Sequence, residues 1–429
     1  MRVSQMSNPG WPFRRSCTCS RRGVWRDDGR VTRVEAGPAT STAAGRARIV
    51  GIDMARCLAL LGMISTHVID PVGAGGDITW HQELAGGRSS ALFAMLAGLS
   101  LALVTGRETP FRGRAMKAAR AGIAVRALLI GLLGLWLGGL DTGIAVILVY
   151  YAVLFVLALP FLGLSWRTLA FLALAWAATT PVANHVIRPV MPETDHAVPN
   201  FVSLVEPVEL LTSVLFTGYY PTFCWLAYAL AGLAIGRLPL RRVRVAVMLT
   251  VTGAFVAALS WGVSWILLHP LGGLDHLADT PSADLRGRSL DLALQMGIYG
   301  TTPTDTWWWL AVFSPHTGTP FDLLFTTGNA MVVIGLCLLV GKWWPRLVGV
   351  VFAVGGMTLT FYSLHLVALH LAWGPERGTP ALFWWHAAAI LVLGAVLRLA
   401  TGRGPLEAAV STASREVSNA VRAPSRPAP

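Results

Sequence analysis

Apolar residues in this chain gather into long runs divided by short polar links. Runs of membrane-spanning length fall near 49–69, 89–106, 120–139, 143–162, 168–187, 219–236, 244–268, 321–340, 347–372 and 382–400. Basic links alternate with acidic ones. Arg107, Arg112, Arg114, Lys117 and Arg120 follow the second run, Arg167 links the fourth and fifth, and Arg237, Arg241, Arg242 and Arg244 follow the sixth. Lys342 and Arg346 follow the eighth, and Arg398 and Arg403 the tenth. The other links carry Asp70, Asp77 and Glu83; Asp141; Glu193, Asp195, Glu206 and Glu209; Asp275, Asp279, Asp284 and Asp291; Asp305; and Glu376. The positive-inside rule then predicts an all-α, polytopic integral membrane helical bundle of about ten transmembrane helices, both termini cytoplasmic, in the cell (plasma) membrane.

Residues 1–47 are Arg-rich with no apolar run and read as a disordered basic cytoplasmic arm. Residues 48–403 form the membrane domain, and 404–429 a polar cytoplasmic tail that opens with a short surface helix. Composition supports this division. Of 429 residues 54% are apolar and 13% charged, against about 25% charged in a soluble domain. The net charge of +12 follows from the arm and the basic links, so no nucleic-acid partner is expected. Cys17, Cys19, Cys57, Cys224 and Cys337 lack zinc-ribbon or redox spacing, so neither a disulfide framework nor a metal is expected.

The first run contains Asp53, Arg56 and His67. Eleven helical residues turn through about 1100°, which puts Arg56 and His67 on one face, about 16 Å apart along the axis. Asp53, three positions before Arg56, shares that face. Each ionisable group at such depth costs about 2.5–3.5 kcal/mol, which makes the stripe a candidate site. An Asp53–Arg56 ion pair serving packing alone accounts for two of its three members.

Further candidates lie in the same half of the bundle, where the predicted topology places His67, His81, His185, His196, His269, His276, His316, His365, His370 and His386. His81 follows Trp80 in the glycine-rich link 70–88, and a neutral imidazole there suits a general base. Thr358, Tyr362 and His365 stand at i, i+4 and i+7, a polar face suited either to substrate or to interhelical hydrogen bonds. The segment from Phe216 to Trp225, running on to Gly232-x-x-x-Gly236-Arg237, reads as packing and interface anchoring. His365 and His370, five apart, are a poor metal pair. No phosphate-binding glycine loop, His-Glu-x-x-His or Gly-x-Ser-x-Gly occurs.

These residues carry a family resemblance. Arg48-Ile-Val-Gly-Ile-Asp53-Met-Ala-Arg56-Cys-Leu-Ala-Leu-Leu-Gly-Met63 resembles the opening helix of the transmembrane acyltransferase superfamily. Within it the match is to the heparan-α-glucosaminide N-acetyltransferase catalytic-domain proteins and the YeiB-like bacterial membrane proteins. The spacing from Arg56 to His67 also resembles the intramembrane motif of the acyltransferase-3 family. Leu92 to Ala102, Trp225 to Arg237, Met357 to His365 and Gly404 to Glu407 resemble further segments in order. Cys57 stands where the family has glycine, and Ser89-Ser90-Ala91-Leu92 replaces its usual acidic and Pro-Phe positions.

The resemblance implies transfer of an acyl group, expected to be acetyl, from cytoplasmic acyl-CoA to a cell-envelope sugar or glycolipid across the bilayer. Arg56, fixed by Asp53, would bind the acyl-CoA. His81, matching the family's catalytic histidine by position, or His67 would be the catalytic base, with Thr358, Tyr362 and His365 orienting the acceptor. The partners implied are the lipid bilayer, acyl-CoA and the glycan acceptor; a homo-oligomer is allowed. A transporter or lipid-handling protein without catalysis, or a degenerate non-catalytic family member, are the competing readings.

Overall fold

The computed structural model describes residues 48–191, 197–283, 288–300 and 302–423. The arm 1–47, with Cys17 and Cys19, lies outside the described residues, as do Glu193, Asp195, His196, Asp284 and the tail end 424–429. The helices are α1 (Val50–Val68), α2 (Trp80–Ala85), α3 (Arg88–Val104), α4 (Gly113–Gly138), α5 (Leu148–Ala158), α6 (Trp166–Ile187), α7 (Pro207–Thr212) and α8 (Thr222–Gly236). They continue with α9 (Val243–Leu268), α10 (Gly273–Ala278), α11 (Leu290–Met296), α12 (Pro320–Trp343), α13 (Pro345–Val351), α14 (Thr358–His370), α15 (Pro380–Ala400) and α16 (Pro405–Arg422). No strand occurs among the described residues.

Local sequence explains several boundaries. Ser165, Thr319 and Thr379 each cap the helix that follows, their hydroxyls accepting from backbone N–H groups of Thr168, Asp322 and Leu382. Pro320 and Pro380 occupy the first turn, where a missing N–H is harmless.

Six described helical stretches are long and apolar enough to cross a membrane: Trp80–Val104, Gly113–Gly138, Trp166–Val190, Val243–Leu268, Pro320–Trp343 and Pro380–Ala400. The chain is thus an all-α, multi-pass membrane protein. Two expected spans are not continuous α-helices. Residues 143–162 hold the short α5, which tightens to a 3₁₀ turn at Leu159–Gly163, where Pro160 cannot donate to the α-helical ladder. Residues 347–372 hold α13, a 3₁₀ turn at Ala353–Gly356 and then α14.

α1 lies at the centre, packed on α3, α12, α14, α15 and the Ala353–Gly356 turn. α3 and α8 cross closely because Gly98 lies on the Ala229 backbone and Gly232 on that of Met95, where a side chain would collide. A second, smaller core of Leu268, Leu277, Trp309, Ala311 and Val312 closes the segment between α9 and α12. Beyond Gly404 the chain forms α16, an 18-residue helix packed on α4 and α14, longer than the short surface helix expected. Ser414 donates to the Gly122 carbonyl at 2.6 Å.

Arg237, at the end of α8, is 3% exposed. Its guanidinium donates to the carbonyls of Ala102 (3.2 Å), Thr105 (3.4 Å), Arg107 (2.7 Å) and Leu162 (2.5 Å), and to the Thr105 hydroxyl (2.8 Å). It thus closes the C-terminus of α3, where helix carbonyls lack intrahelical donors. Burial pushes it down to about 10, so it stays cationic at neutral pH. Replacing it with methionine keeps volume but orphans those carbonyls. The expected loss is about 3 kcal/mol or more, read as a lower unfolding transition in detergent, with Arg237→Lys intermediate.

Candidate functional site

α1 carries polar groups at both ends. Near its start Arg56 donates to the Asp53 carboxylate at 3.2 Å and to the Ser100 hydroxyl of α3 at 2.6 Å. Asp53 is buried. The Asp53–Arg56 pair expected from their spacing is therefore present, and it also ties α1 to α3. Arg126 of α4 lies within electrostatic reach of Arg56 and of Glu407. Sequence reasoning passed over Arg126, although a lone arginine inside an apolar run is itself a signal.

Glu407 of α16 reaches the start of α14. Its carboxylate accepts from the backbone N–H groups of Leu359 (2.7 Å) and Thr360 (3.1 Å) and from the Thr360 hydroxyl (2.6 Å). An anion is well placed there, at the positive end of a helix dipole. Thr358 sits at this same end of α14.

His67 is at the far end of α1. Its Nδ1 is 3.2 Å from Nε2 of His365 on α14, and the rings stack at 5.5 Å and 13°. Nδ1 of His365 is in turn 3.3 Å from Nδ1 of His386 on α15, the rings meeting edge to face. His365 is 1% exposed and His386 2%. Nε2 of His386 is buried with no hydrogen-bond partner among the described residues. Arg377 lies within electrostatic reach of His67 and His365 while its guanidinium donates to the Thr142 carbonyl at 2.8 Å.

The structure therefore brings His67 and His365 together and adds His386. Tyr362 shares a face with His365 but turns to another partner, its hydroxyl accepting from the Ile147 N–H at 3.3 Å. Thr358, one end of the helix away, makes no contact with the histidine chain among the described residues. His81 has its own environment: it is buried, with Nε2 3.2 Å from the Thr79 hydroxyl and its ring against the edge of Trp80. Thr79 donates in turn to the Pro71 carbonyl at 2.9 Å.

A neutral imidazole has one N–H and one lone pair, so each link in the chain constrains the next. If His67 donates from Nδ1, His365 accepts at Nε2 and donates from Nδ1 to His386. His67 then presents a bare Nε2 lone pair, the form a general base requires. Opposite tautomers would leave His67 a donor. The arrangement resembles a nucleophile's base held in one tautomer by a third group.

Residues 48–268 match the family model described as heparan-alpha-glucosaminide N-acetyltransferase, catalytic. The matched region contains Asp53, Arg56, His67 and His81, but not His365 or His386. No curated protein and no solved structure matches the chain.

The Glu407 cap should hold α14, and hence His365, in place. Glu407→Ala is expected to lower the detergent unfolding transition by about 1–3 kcal/mol. Glu407→Gln, which keeps the shape but not the charge, should fall between.

Proposed function

The chain belongs to the heparan-alpha-glucosaminide N-acetyltransferase catalytic family, and from that premise we propose that it transfers an acetyl group from cytoplasmic acetyl-CoA to an extracytoplasmic cell-envelope sugar or glycolipid. One observation carries the reading: α1 holds a fixed arginine at one end and, about 16 Å away, a histidine whose Nδ1 is engaged by a second histidine. The positive-inside pattern supports a cytoplasmic arginine end, in a multi-pass protein of the cell membrane with both termini cytoplasmic.

Arg56, held by Asp53 and Ser100, and the neighbouring Arg126 attract the phosphates of the donor. Its pantetheine arm runs along α1 and carries the thioester toward His67. Nε2 of His67 takes the proton from the acceptor amine or hydroxyl as that atom attacks the thioester carbonyl. Collapse of the tetrahedral intermediate breaks the C–S bond, and the proton leaves with the CoA thiol. His365 and His386 hold the tautomer that makes His67 a base. His81 stands as the alternative base, on its position in the link after α1.

The protein in lipid nanodiscs, given labelled acetyl-CoA and envelope glycolipid extract, should transfer label to lipid. His67→Ala should reduce the rate about 10²–10⁴-fold, and Arg56→Lys should chiefly raise KM for acetyl-CoA. A larger loss in His81→Ala than in His67→Ala would move the base to His81. No transfer, together with substrate-dependent uptake into vesicles, would sink the enzyme reading in favour of a transporter.

A further inference from the structure

The segment between α6 and α8 leaves most of its large apolar side chains uncovered, although it is pinned at both ends. The Pro199 backbone lies on Gly138 at the end of α4, where a Cβ would collide with the Pro199 carbonyl. At the other end the Asn184 side chain of α6 donates to the Phe216 carbonyl at 3.3 Å, and the Thr222 hydroxyl of α8 to that of Val214 at 3.0 Å. Between these anchors run a 3₁₀ turn at Val202–Val205 and then α7. Phe201, Val202, Leu204, Val205, Val208 and Leu211 are all exposed there, Val202 to 77%, Val205 to 80% and Val208 to 70%. Exposed apolar residues gathered in this way mark an interaction surface. No lysine or arginine occurs between Arg188 and Arg237.

The backbone of this segment closes on itself. The N–H groups of Ser203, Leu204, Glu206 and Leu210 donate to the carbonyls of Asn200 (3.1 Å), Phe201 (3.3 Å), Ser203 (3.3 Å) and Glu206 (3.0 Å). The Asn200 side chain accepts from the Val202 N–H at 2.8 Å, and the Ser203 hydroxyl from the Asn200 N–H at 3.2 Å. Hydrocarbon demands such closure because it offers backbone groups no partner, whereas water does not. The spans on either side carry exposed apolar residues up to the junction, Leu132 and Trp136 on α4 and Val186 and Val190 in the stretch Trp166–Val190. Just past α4, the Leu140 carbonyl lies 2.6 Å from Nδ1 of His370, on the helix that carries His365. The segment therefore sits on the His67 side of the bundle.

We propose that residues 201–211 insert into the bilayer leaflet on that side, as a shallow interfacial element whose partner is lipid acyl chains. The lipid-facing surface of α4 and of the Trp166–Val190 stretch thus continues through the segment. A 3₁₀ turn points successive side chains about 120° apart, so Phe201 and Val202, with Leu204 and Val205 one turn on, are apolar in two of its three directions. A second protein chain would cover one direction; lipid surrounds the turn. The exposed Glu206 carboxylate stays among the headgroups and limits the depth, on the order of 5–10 Å for such elements. Apolar area and not charge drives the contact. The inference does not depend on the acetyl-transfer reading.

The test uses the full chain in nanodiscs, once of phosphatidylcholine and once of phosphatidylcholine with phosphatidylglycerol. p-Benzoylphenylalanine replaces Val205 or Val208, one at a time, and adducts formed on illumination are identified by mass spectrometry. Leu259, exposed on α9, serves as the lipid-facing control and Glu416, exposed on α16, as the polar one. Lipid adducts at both valines should come within about threefold of the Leu259 yield and exceed that at Glu416 at least about tenfold. Yields should be the same in both lipid mixtures. Yields at the Glu416 level, adducts confined to the anionic mixture, or cross-links to a second copy of the chain in place of lipid would each overturn the proposal.

Discussion

The close approach of α1 to the interrupted helix beside it governs the geometry at both ends of the bundle. Gly355 lies against the Asp53 backbone, where a Cβ would collide with the Asp53 carbonyl. The tight turn Ala353–Gly356 lets the chain pass there and restart as α14. With α14 so placed, His365 reaches both His67 and His386, and the first N–H groups of the new helix donate to Glu407 of α16. In an apolar bundle packing supplies most of the cohesion, and polar contacts form only where backbones come near enough. One small residue therefore serves a histidine contact and an anionic cap at once.

The all-α, multi-pass character was legible because hydrophobic run length is a one-dimensional property. The break at Gly355-Gly356 was not. Both residues keep the window apolar, so averaged hydropathy passes through them unchanged, and what makes Gly355 necessary is the Asp53 backbone about three hundred residues away. Pro160 was a more visible breaker in the run 143–162, because proline ends an α-ladder whatever lies nearby. α16 was harder to read: its polar composition suggests a surface, while its packing depends on Gly122 of α4 and on the start of α14.

At the site, the Asp53, Arg56 and His67 stripe could be read from helical spacing alone, and the Asp53–Arg56 bond followed from it. Ser100 and His386 could not be assigned this way, since each meets its partner from a separate helix. The i, i+4, i+7 relation of Thr358, Tyr362 and His365 correctly describes one face. A face of about 10 Å, however, passes three different neighbours: the Glu407 end, the Ile147 backbone and the histidine chain. Arg237 shows the same limit, because a basic residue after an apolar run marks a side of the membrane without revealing that four carbonyls enclose it.

The polar groups also differ in kind between the two ends, and this bears on what the histidine chain can do. The Arg56 end holds acidic and basic side chains: Asp53, Arg56, Arg126 and Glu407. The His67 end holds chiefly imidazoles and phenols, with Arg377 within electrostatic reach. Nε2 of His386 is buried with no hydrogen-bond partner among the described residues. What the contacts allow is for His365 and His386 to set the tautomer of His67, which ties a buried pair of side chains to the basicity of His67 Nε2.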